Sequence, residues 1–514
     1  MSRRDPAAEQ DPAARRDRAH QRAHEAAGEA EGRRPAVLPD KSQAETAKRQ
    51  ADKGQAEIRG GLLRRHRDFR LLWCGETAGK FGASVTGVAM PLVAVSVLGA
   101  SSFQVSLLAA ASWLPWLVIG LPVGVWVDRS RRRPVMLASA TASLTLFVCL
   151  PVLAWWGGLS IALLLTVALL AGVSAVVFQT AYTAYLPSLL APADQPEGNA
   201  KLHGSASAAQ IAGLGSGGFL TQFAGAVGGL AANALTFAVS LVCLLRIRHR
   251  EPVPTRATTE IATTDTAGAD TGAGPRPDKG AGGRQAAPAR GRRSLTTEVG
   301  EGLRLVGGDP WLRTLALFGA TSNLALMGYQ SVHVVFLTRE VGLAPGVVGG
   351  LIATASAGGV AGALLARRVA ARVGTARATL LFELGFASCA PLIALTTDGL
   401  GVVLYLIGGC CVSAGVVAGN VIKASFQQRY CPPELLGRLT ASAAFLNYGT
   451  LPLGALLGGA LSTVFGLRAA MWITTAGVPL AGLVLFFSPI RHRRDLPTTR
   501  RTVAPKAART ARRS

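Results

Sequence analysis

Gly124-Val-Trp-Val-Asp128-Arg129-Ser-Arg131-Arg132-Arg133 sits between two apolar runs, each long enough to cross a bilayer. The stretch holds one acid and four arginines. So much positive charge in a short loop between membrane-length segments marks a membrane face and fixes orientation. Read outward from it, the chain alternates runs of about 20 apolar residues, enough to span about 30 Å as helix, with short polar connections.

Bulk properties agree. The 514 residues are 49% hydrophobic and only 16% charged, with a mean hydropathy of +0.34. The 60 glycines lie mostly inside the apolar runs, which suits close helix contact in lipid. The net charge of +24 does not point to nucleic acid, because the basic residues fall in tails and alternate loops. Seven cysteines show no metal-ligand spacing, and no disulfide framework is expected. A phosphate loop and a nucleophile–base set are both missing, so neither ATP drive nor an enzyme is expected, and no cofactor or metal.

Five regions follow. Residues 1–61 form a tail without an apolar run, expected to be disordered, and Arg3-Arg4 lacks the hydrophobic region of a secretion signal. Residues 62–246 hold six spans, near 71–98, 104–127, 134–155, 159–183, 203–223 and 226–246. Residues 247–297 are a flexible, polar linker, and 298–490 hold six more spans, near 312–336, 346–366, 376–396, 400–423, 439–464 and 468–489. A basic tail, 491–514, closes the chain.

The arginine-rich connections are those around Arg64, Arg129–Arg133, Lys201, 246–293, Arg367–Arg377, Arg429–Arg438 and Arg491 onward. The opposite connections hold only Arg339 and Arg468. The arginine-rich side is therefore expected in the cytoplasm, with both termini and the linker. The halves also repeat. Span 5 ends with Gly217-Gly218-Phe-Leu220 and span 11 with Gly458-Gly459-Ala-Leu461, each after a proline-bounded loop. Two such repeats point to a transporter with its site between them near the midplane.

The chain resembles the major facilitator superfamily. The loop pattern G-x-x-x-D-R-x-G-R-R is met by Gly124, Asp128, Arg129, Arg132 and Arg133, with Arg131 in place of the usual glycine. Asp68-Phe-Arg-Leu-Leu-Trp73, Glu197-Gly-Asn-Ala-Lys201 and Gly437-Arg438-Leu extend the likeness to the bacterial branch that includes the enterobactin exporter and drug-efflux-like proteins. The resemblance implies an all-α integral membrane protein of twelve transmembrane helices in two pseudo-symmetric six-helix bundles. It also implies that Asp128 docks at the start of span 11, near Gly437 and Arg438, where unpaired backbone N–H groups would receive a carboxylate. Such a latch would hold the bundles together on the cytoplasmic side. The plainer reading is that the arginines only attract anionic lipid.

Charges inside spans are costly and usually face a water-filled cavity. Glu76 and Lys80 lie four apart in span 1, on one helical face. They read either as a coupling or substrate site or as a self-neutralised structural pair. The resemblance makes spans 1, 4, 7 and 10 the cavity walls, which adds Gln179, Tyr182, Asn323, Gln330, His333 and Asn420 as candidates. His333 could equally be a hydrogen-bonded helix contact. Lys423 is expected to snorkel to the interface, and Glu383, on peripheral span 9, to reach the interface too. Gly213-x-x-x-Gly217 and Gly454-x-x-x-Gly458 are expected to pack spans 5 and 11 against neighbours across the pseudo-two-fold rather than to dimerise.

The expected function is secondary active transport in the cytoplasmic membrane by a monomer, with a small-molecule substrate, protons as coupling ion and lipids around it. Efflux of a small hydrophobic molecule (drug, siderophore or secondary metabolite) follows from the resemblance. The alternatives are an importer or facilitator of a nutrient on the same fold, and a transport-inactive sensor or scaffold.

Overall fold

In hydrocarbon every backbone N–H and C=O must be paired within the protein, so apolar runs of this length become helices. The computed structural model describes residues 61–249, 304, 306–431 and 433–498, and only the backbone at Leu121, Asp128, Ala226, 433–438, Thr440 and Ala441. Most of the expected N-terminal tail, the linker and the end of the basic tail lie outside the described residues. The short helix Leu62–Arg65 belongs to a unit separate from His66 onward, and everything below concerns the second unit.

All twelve spans are found, and no β-strand occurs among the described residues. Span 1 is Arg67–Ser96, span 2 is Ser102–Val118 continued by Gly120–Asp128, span 3 is Arg132–Trp155, span 4 is Ile161–Leu189, span 5 is Gln195–Phe223 and span 6 is Gly225–Arg246. Span 7 is Pro310–Val335 with a π turn at Phe336–Glu340, span 8 is Pro345–Val373, span 10 is Val402–Tyr430, span 11 is Pro433–Phe465 and span 12 is Leu467–Phe486. Span 9 is irregular: α-helix over Thr375–Leu380, a π turn over Leu381–Phe386, then 3-10 helix over Ala387–Ile393. Nine of the twelve are long and apolar enough to cross a membrane by composition alone. The interrupted span 2 and the more polar spans 5 and 7 fall short of that test.

The packing repeats between halves. Span 1 packs on spans 5 and 6, and span 7 packs on spans 11 and 12. Span 3 packs on spans 4 and 6 as span 9 does on spans 10 and 12, and span 2 packs on span 4 as span 8 does on span 10. The bundles meet through span 5 against span 8 and span 2 against span 11.

The glycine pairs show how one helix serves both kinds of contact. Gly213 and Gly217 face Phe81 and Val85 of span 1, and Gly454 and Gly458 face Leu324 and Gly328 of span 7. The expectation that these motifs pack across the pseudo-two-fold is thereby corrected, since both seal their own bundle. The contact between bundles belongs to the adjacent glycines. Gly218 lies on Gly349 of span 8, and Gly459 on Ser106 of span 2. Successive helical residues point about 100° apart, so a Gly-Gly pair clears two sides of one helix at once.

Candidate functional site

Span 1 is held by its small residues. Added side chains at Gly75 and Gly82 would run into Cys243 and Thr236 of span 6. On the span 5 side, the Thr77 hydroxyl donates to Ser205 Oγ at 3.0 Å and the Trp73 indole N–H to the Lys201 carbonyl at 3.4 Å. With these faces fixed, Glu76 and Lys80 turn toward span 4. Glu76 is buried at 9% exposure, and its Oε1 lies 3.4 Å from Lys80 Nζ. Lys80 Nζ also donates to Gln179 Oε1 at 3.2 Å. Tyr182 is buried within electrostatic reach of the Glu76 carboxylate and stacks on Phe178, with ring centroids 6.3 Å apart. Four of the residues singled out in the sequence thus form one cluster, about 14 Å along span 1 from its arginine-rich end at 1.5 Å per residue. A carboxylate, an ammonium and an amide at that depth can hold a proton or a polar group of a ligand.

The candidates of the second bundle do not converge in this way. His333 Nδ1 contacts the Gln330 carbonyl at 2.6 Å and its ring meets Tyr329 edge-on, which is the hydrogen-bonded helix contact. Gln330 and Asn420 are exposed and Asn323 is half-buried, and among the described residues neither asparagine side chain makes a hydrogen bond. Glu383 and Lys423 depart from expectation. Glu383 does not reach the interface: it is 7% exposed and lies against Gly419 of span 10. Lys423 does not snorkel outward, because its Nζ sits 6.0 Å from the Phe318 ring centroid of span 7. The π turn of span 9 widens the helix and turns Glu383 inward, and Gly419 leaves room for it. The sequence held a signal for this: Gly415-x-x-x-Gly419 on span 10 is the same small-residue spacing as in spans 5 and 11.

In the arginine loop, Asp128 ends span 2 and Arg129 follows as its cap, while Arg132 begins span 3. Arg133 Nη2 donates to the carbonyls of Leu244 and Leu245, 3.4 and 3.1 Å away, at the end of span 6. A guanidinium there meets both the unpaired last carbonyls and the negative end of the helix. The side chains of Asp128 and Arg438 lie outside the described residues.

Where the bundles touch is decided at the arginine-poor end. Besides the Gly218–Gly349 and Gly459–Ser106 approaches, Gly346 N–H donates to Gln222 Oε1 at 3.0 Å and the Ser106 and Ser331 hydroxyls lie 3.3 Å apart. A hydrophobic core of Val88 and Leu92 from the first bundle with Val332, Phe336, Leu351 and Tyr405 from the second closes the same end. Nearer the middle, Tyr448 of span 11 meets Trp113 and Trp116 of span 2, with centroids 6.1 and 4.7 Å apart, and Gly449 meets Leu117. Beyond that pair span 2 continues as Gly120–Asp128, which packs on spans 3 and 4 of its own bundle. The core at the arginine-rich end of the second bundle, around Phe318, Phe382, Phe426 and Tyr430, holds second-bundle residues only.

A family model described as Major Facilitator Superfamily matches residues 72–451 and again 317–514. The chain belongs to the major facilitator superfamily. It is therefore a multi-pass membrane protein and a secondary transporter, not an enzyme. Among its relatives is the multidrug efflux pump Tap of Mycolicibacterium fortuitum, 28% identical over 440 residues, covering 83% of this chain and 96% of that protein. Tap of Mycobacterium tuberculosis (strain ATCC 25618 / H37Rv) is 27% identical over 428 residues, covering 81% and 92%. Among solved structures, the nucleoside transporter NupG superposes with a TM-score of 0.63 at 10% identity, covering 82% of this chain and 98% of that one. A bacterial homologue of the iron transporter ferroportin, in an inward-facing state, gives 0.62 at 16% identity, again covering 82% and 98%. At these identities the two structures speak for the fold alone.

Proposed function

We propose that this transporter exports small hydrophobic drug-like molecules across the plasma membrane in exchange for protons. The observation that carries the reading is the Glu76–Lys80–Gln179–Tyr182 cluster, a buried carboxylate with an ammonium at 3.4 Å that also reaches an amide oxygen at 3.2 Å, set well inside spans 1 and 4 from their arginine-rich ends. Glu76 is the proton carrier in this reading, and Lys80 leaves it for Gln179 when the carboxyl is neutral. The efflux direction draws on the Tap relatives.

In this reading the arginine-rich side lies in the cytoplasm, the arginine-poor closure is the outer gate and the transporter is open inward. The latch reading draws support from helix register. Spans 2 and 11 run antiparallel, Ser106 meeting Gly459 and Leu117 meeting Gly449. The same register carried on to Asp128 arrives at Gly437 and Arg438, the start of span 11. Alternating access then rocks the bundles between an outer gate of glycines and an inner latch at Asp128.

The test is efflux of a panel of hydrophobic dyes and antibiotics from cells, with and without a protonophore, for wild type, Glu76→Gln and Asp128→Asn. Proton-driven export predicts wild-type efflux that the protonophore abolishes and that Glu76→Gln loses. Normal active efflux by Glu76→Gln makes the cluster structural and moves the coupling site elsewhere.

A further inference from the structure

Glu383 is a buried carboxylate that the proposed transport mechanism does not use. It sits in the π turn Leu381–Phe386, about 12 Å along span 9 from its arginine-rich end. Two neighbouring helices are cut away to admit that turn. Gly415 and Gly419 of span 10 face Phe382 and the Glu383 side chain, and Gly482 of span 12 faces the Glu383 carbonyl. A methyl group at Gly419 would occupy the place of the carboxyl group itself. Single π turns of this kind recur at functional sites.

The polar surroundings are sparse. Among the described residues the Glu383 side chain, 7% exposed, makes no hydrogen bond and has no cation within ion-pair distance. Span 10 offers Lys423, which acts on the carboxyl electrostatically from one helical turn beyond Gly419 but rests over the Phe318 ring, 6.0 Å from its centroid. Span 12 carries one charged residue, Arg468, at its far end, and the first turns of span 9 carry Arg377. Glu76 differs in this respect, with its lysine in contact at 3.4 Å. A carboxylate buried in a bundle without a partner costs several kcal/mol, and the neutral acid costs considerably less. A structural ion pair would have its ammonium in contact with the carboxylate; this one is drawn back.

We propose that Glu383 is a second proton-binding site, in the C-terminal bundle, with Lys423 as its movable counter-ion. In the state described here Glu383 carries the proton and Lys423 lies on Phe318. On release of the proton the carboxylate draws Lys423 past Gly419 into contact. As the proton leaves to water, the pair goes from a net charge of +1 to a neutral ion pair, and the cation shifts from the span 7 side of span 10 to the span 9 side. The use of the site in transport rests on the proton-driven reading above, but the protonation itself does not.

The experiment is infrared difference spectroscopy of the full-length protein in lipid nanodiscs at neutral pH, without substrate, reading the carbonyl stretch of protonated carboxylic acids and its shift in deuterated water. Wild type should show a buried protonated acid, Glu383→Gln should lose that band, and Glu76→Gln should keep it. In Lys423→Met the acid should stay protonated under alkaline conditions at which wild type releases its proton, since no counter-ion remains. Glu383→Asp, which keeps the acid, should retain a displaced band and so controls for folding. An unchanged spectrum in Glu383→Gln overturns the proposal, as does a Lys423→Met protein that releases its proton like wild type. A band lost in Glu76→Gln but not in Glu383→Gln assigns the proton to the first bundle alone. Failure of the efflux test at Glu76 leaves these readouts standing, so the two ideas fall separately.

Discussion

Gly218 of span 5 and Gly349 of span 8 lie backbone to backbone, and a Cβ on Gly218 would come within 2.7 Å of Gly349 Cα. Two helices from different bundles can approach this closely only where neither carries a side chain. In the rocking motion proposed above, this contact forms and parts in every cycle. Gly218→Leu would wedge the crossing open, and overpacking of this kind costs about 1–3 kcal/mol. Spread over two states, that is a shift of about 5- to 150-fold toward the state in which the spans are apart. Labelling of a cysteine introduced at Leu214, at the partly buried edge of the adjoining core, should rise with the substitution. Unchanged labelling would mean that the crossing is not a gate.

Gly459 on span 11 occupies the corresponding place against Ser106 of span 2. If the two-sided glycine pair is the working feature, Gly459→Leu should act in the same direction as Gly218→Leu. Gly458→Leu, which faces Gly328 within its own bundle, should instead lower thermal stability and yield without selecting a state. The check is a melting curve in detergent beside the labelling assay.

The Glu76–Lys80 contact can be separated from its surroundings by a double-mutant cycle. Lys80→Met strips the buried Glu76 of its cation, while Glu76→Gln leaves Lys80 its bond to Gln179. Because the Lys80 side chain is 44% exposed, the coupling is screened and should amount to about 1 kcal/mol, not the larger penalty of a fully buried pair. The loss in the double variant should therefore fall short of the sum of the two single losses by about that amount. Additive losses would show that the two charges do not interact.

Much of this was legible in the chain, for physical reasons. The apolar runs became helical spans because lipid leaves the backbone no other pairing. Glu76 and Lys80, four apart, had to share a face. Gln179 and Tyr182 joined them because span 4 is a neighbouring wall. Other features depend on atoms that hydropathy does not register. The π and 3-10 turns of span 9 are a local change in hydrogen-bond partner within one apolar run. Glu383 looked peripheral because its position in the span was read without the glycines of spans 10 and 12 that make its socket. The break in span 2 at Ile119 was equally hidden, although Pro115 marks a missing donor nearby.

Asp309 at the start of span 7 is a structural residue that hydropathy also passed over. Its Oδ1 accepts the N–H groups of Trp311 and Leu312 at 3.0 and 3.3 Å, and its Oδ2 accepts the Tyr430 hydroxyl at 2.8 Å. The side chain thus caps one helix and ties it to the end of span 10. Asp309→Ala should cost about 0.5–2 kcal/mol for the cap and more for the orphaned hydroxyl, while Tyr430→Phe should cost about 1 kcal/mol. Both should lower the melting temperature without changing which end of the transporter is open. A variant whose labelling pattern changes at constant stability would instead place the pair in the conformational switch.

The register of spans 2 and 11 gives the sharpest test of the latch. Trp126 is exposed at the arginine-rich end of span 2, and the register set by Ser106–Gly459 and Leu117–Gly449, carried past the break at Ile119, would bring it level with Leu439, now buried in the second bundle. Cysteines at Trp126 and Leu439 can join only if their Cα atoms come within about 4.4–6.8 Å. In a background without the native cysteines, cross-linking of this pair should be weak and should rise several-fold when Gly218→Leu wedges the other end apart. Cysteines at Leu117 and Gly449, where a Cβ on Gly449 lies 3.1 Å from Leu117 Cδ1, should be joined by a short bifunctional cross-linker in both backgrounds. If Asp128 is the latch, Asp128→Asn should suppress the Gly218→Leu-dependent rise at the first pair and spare the second. A rise that survives Asp128→Asn would show that the inner ends close without the carboxylate, leaving the arginines of the loop to set topology alone.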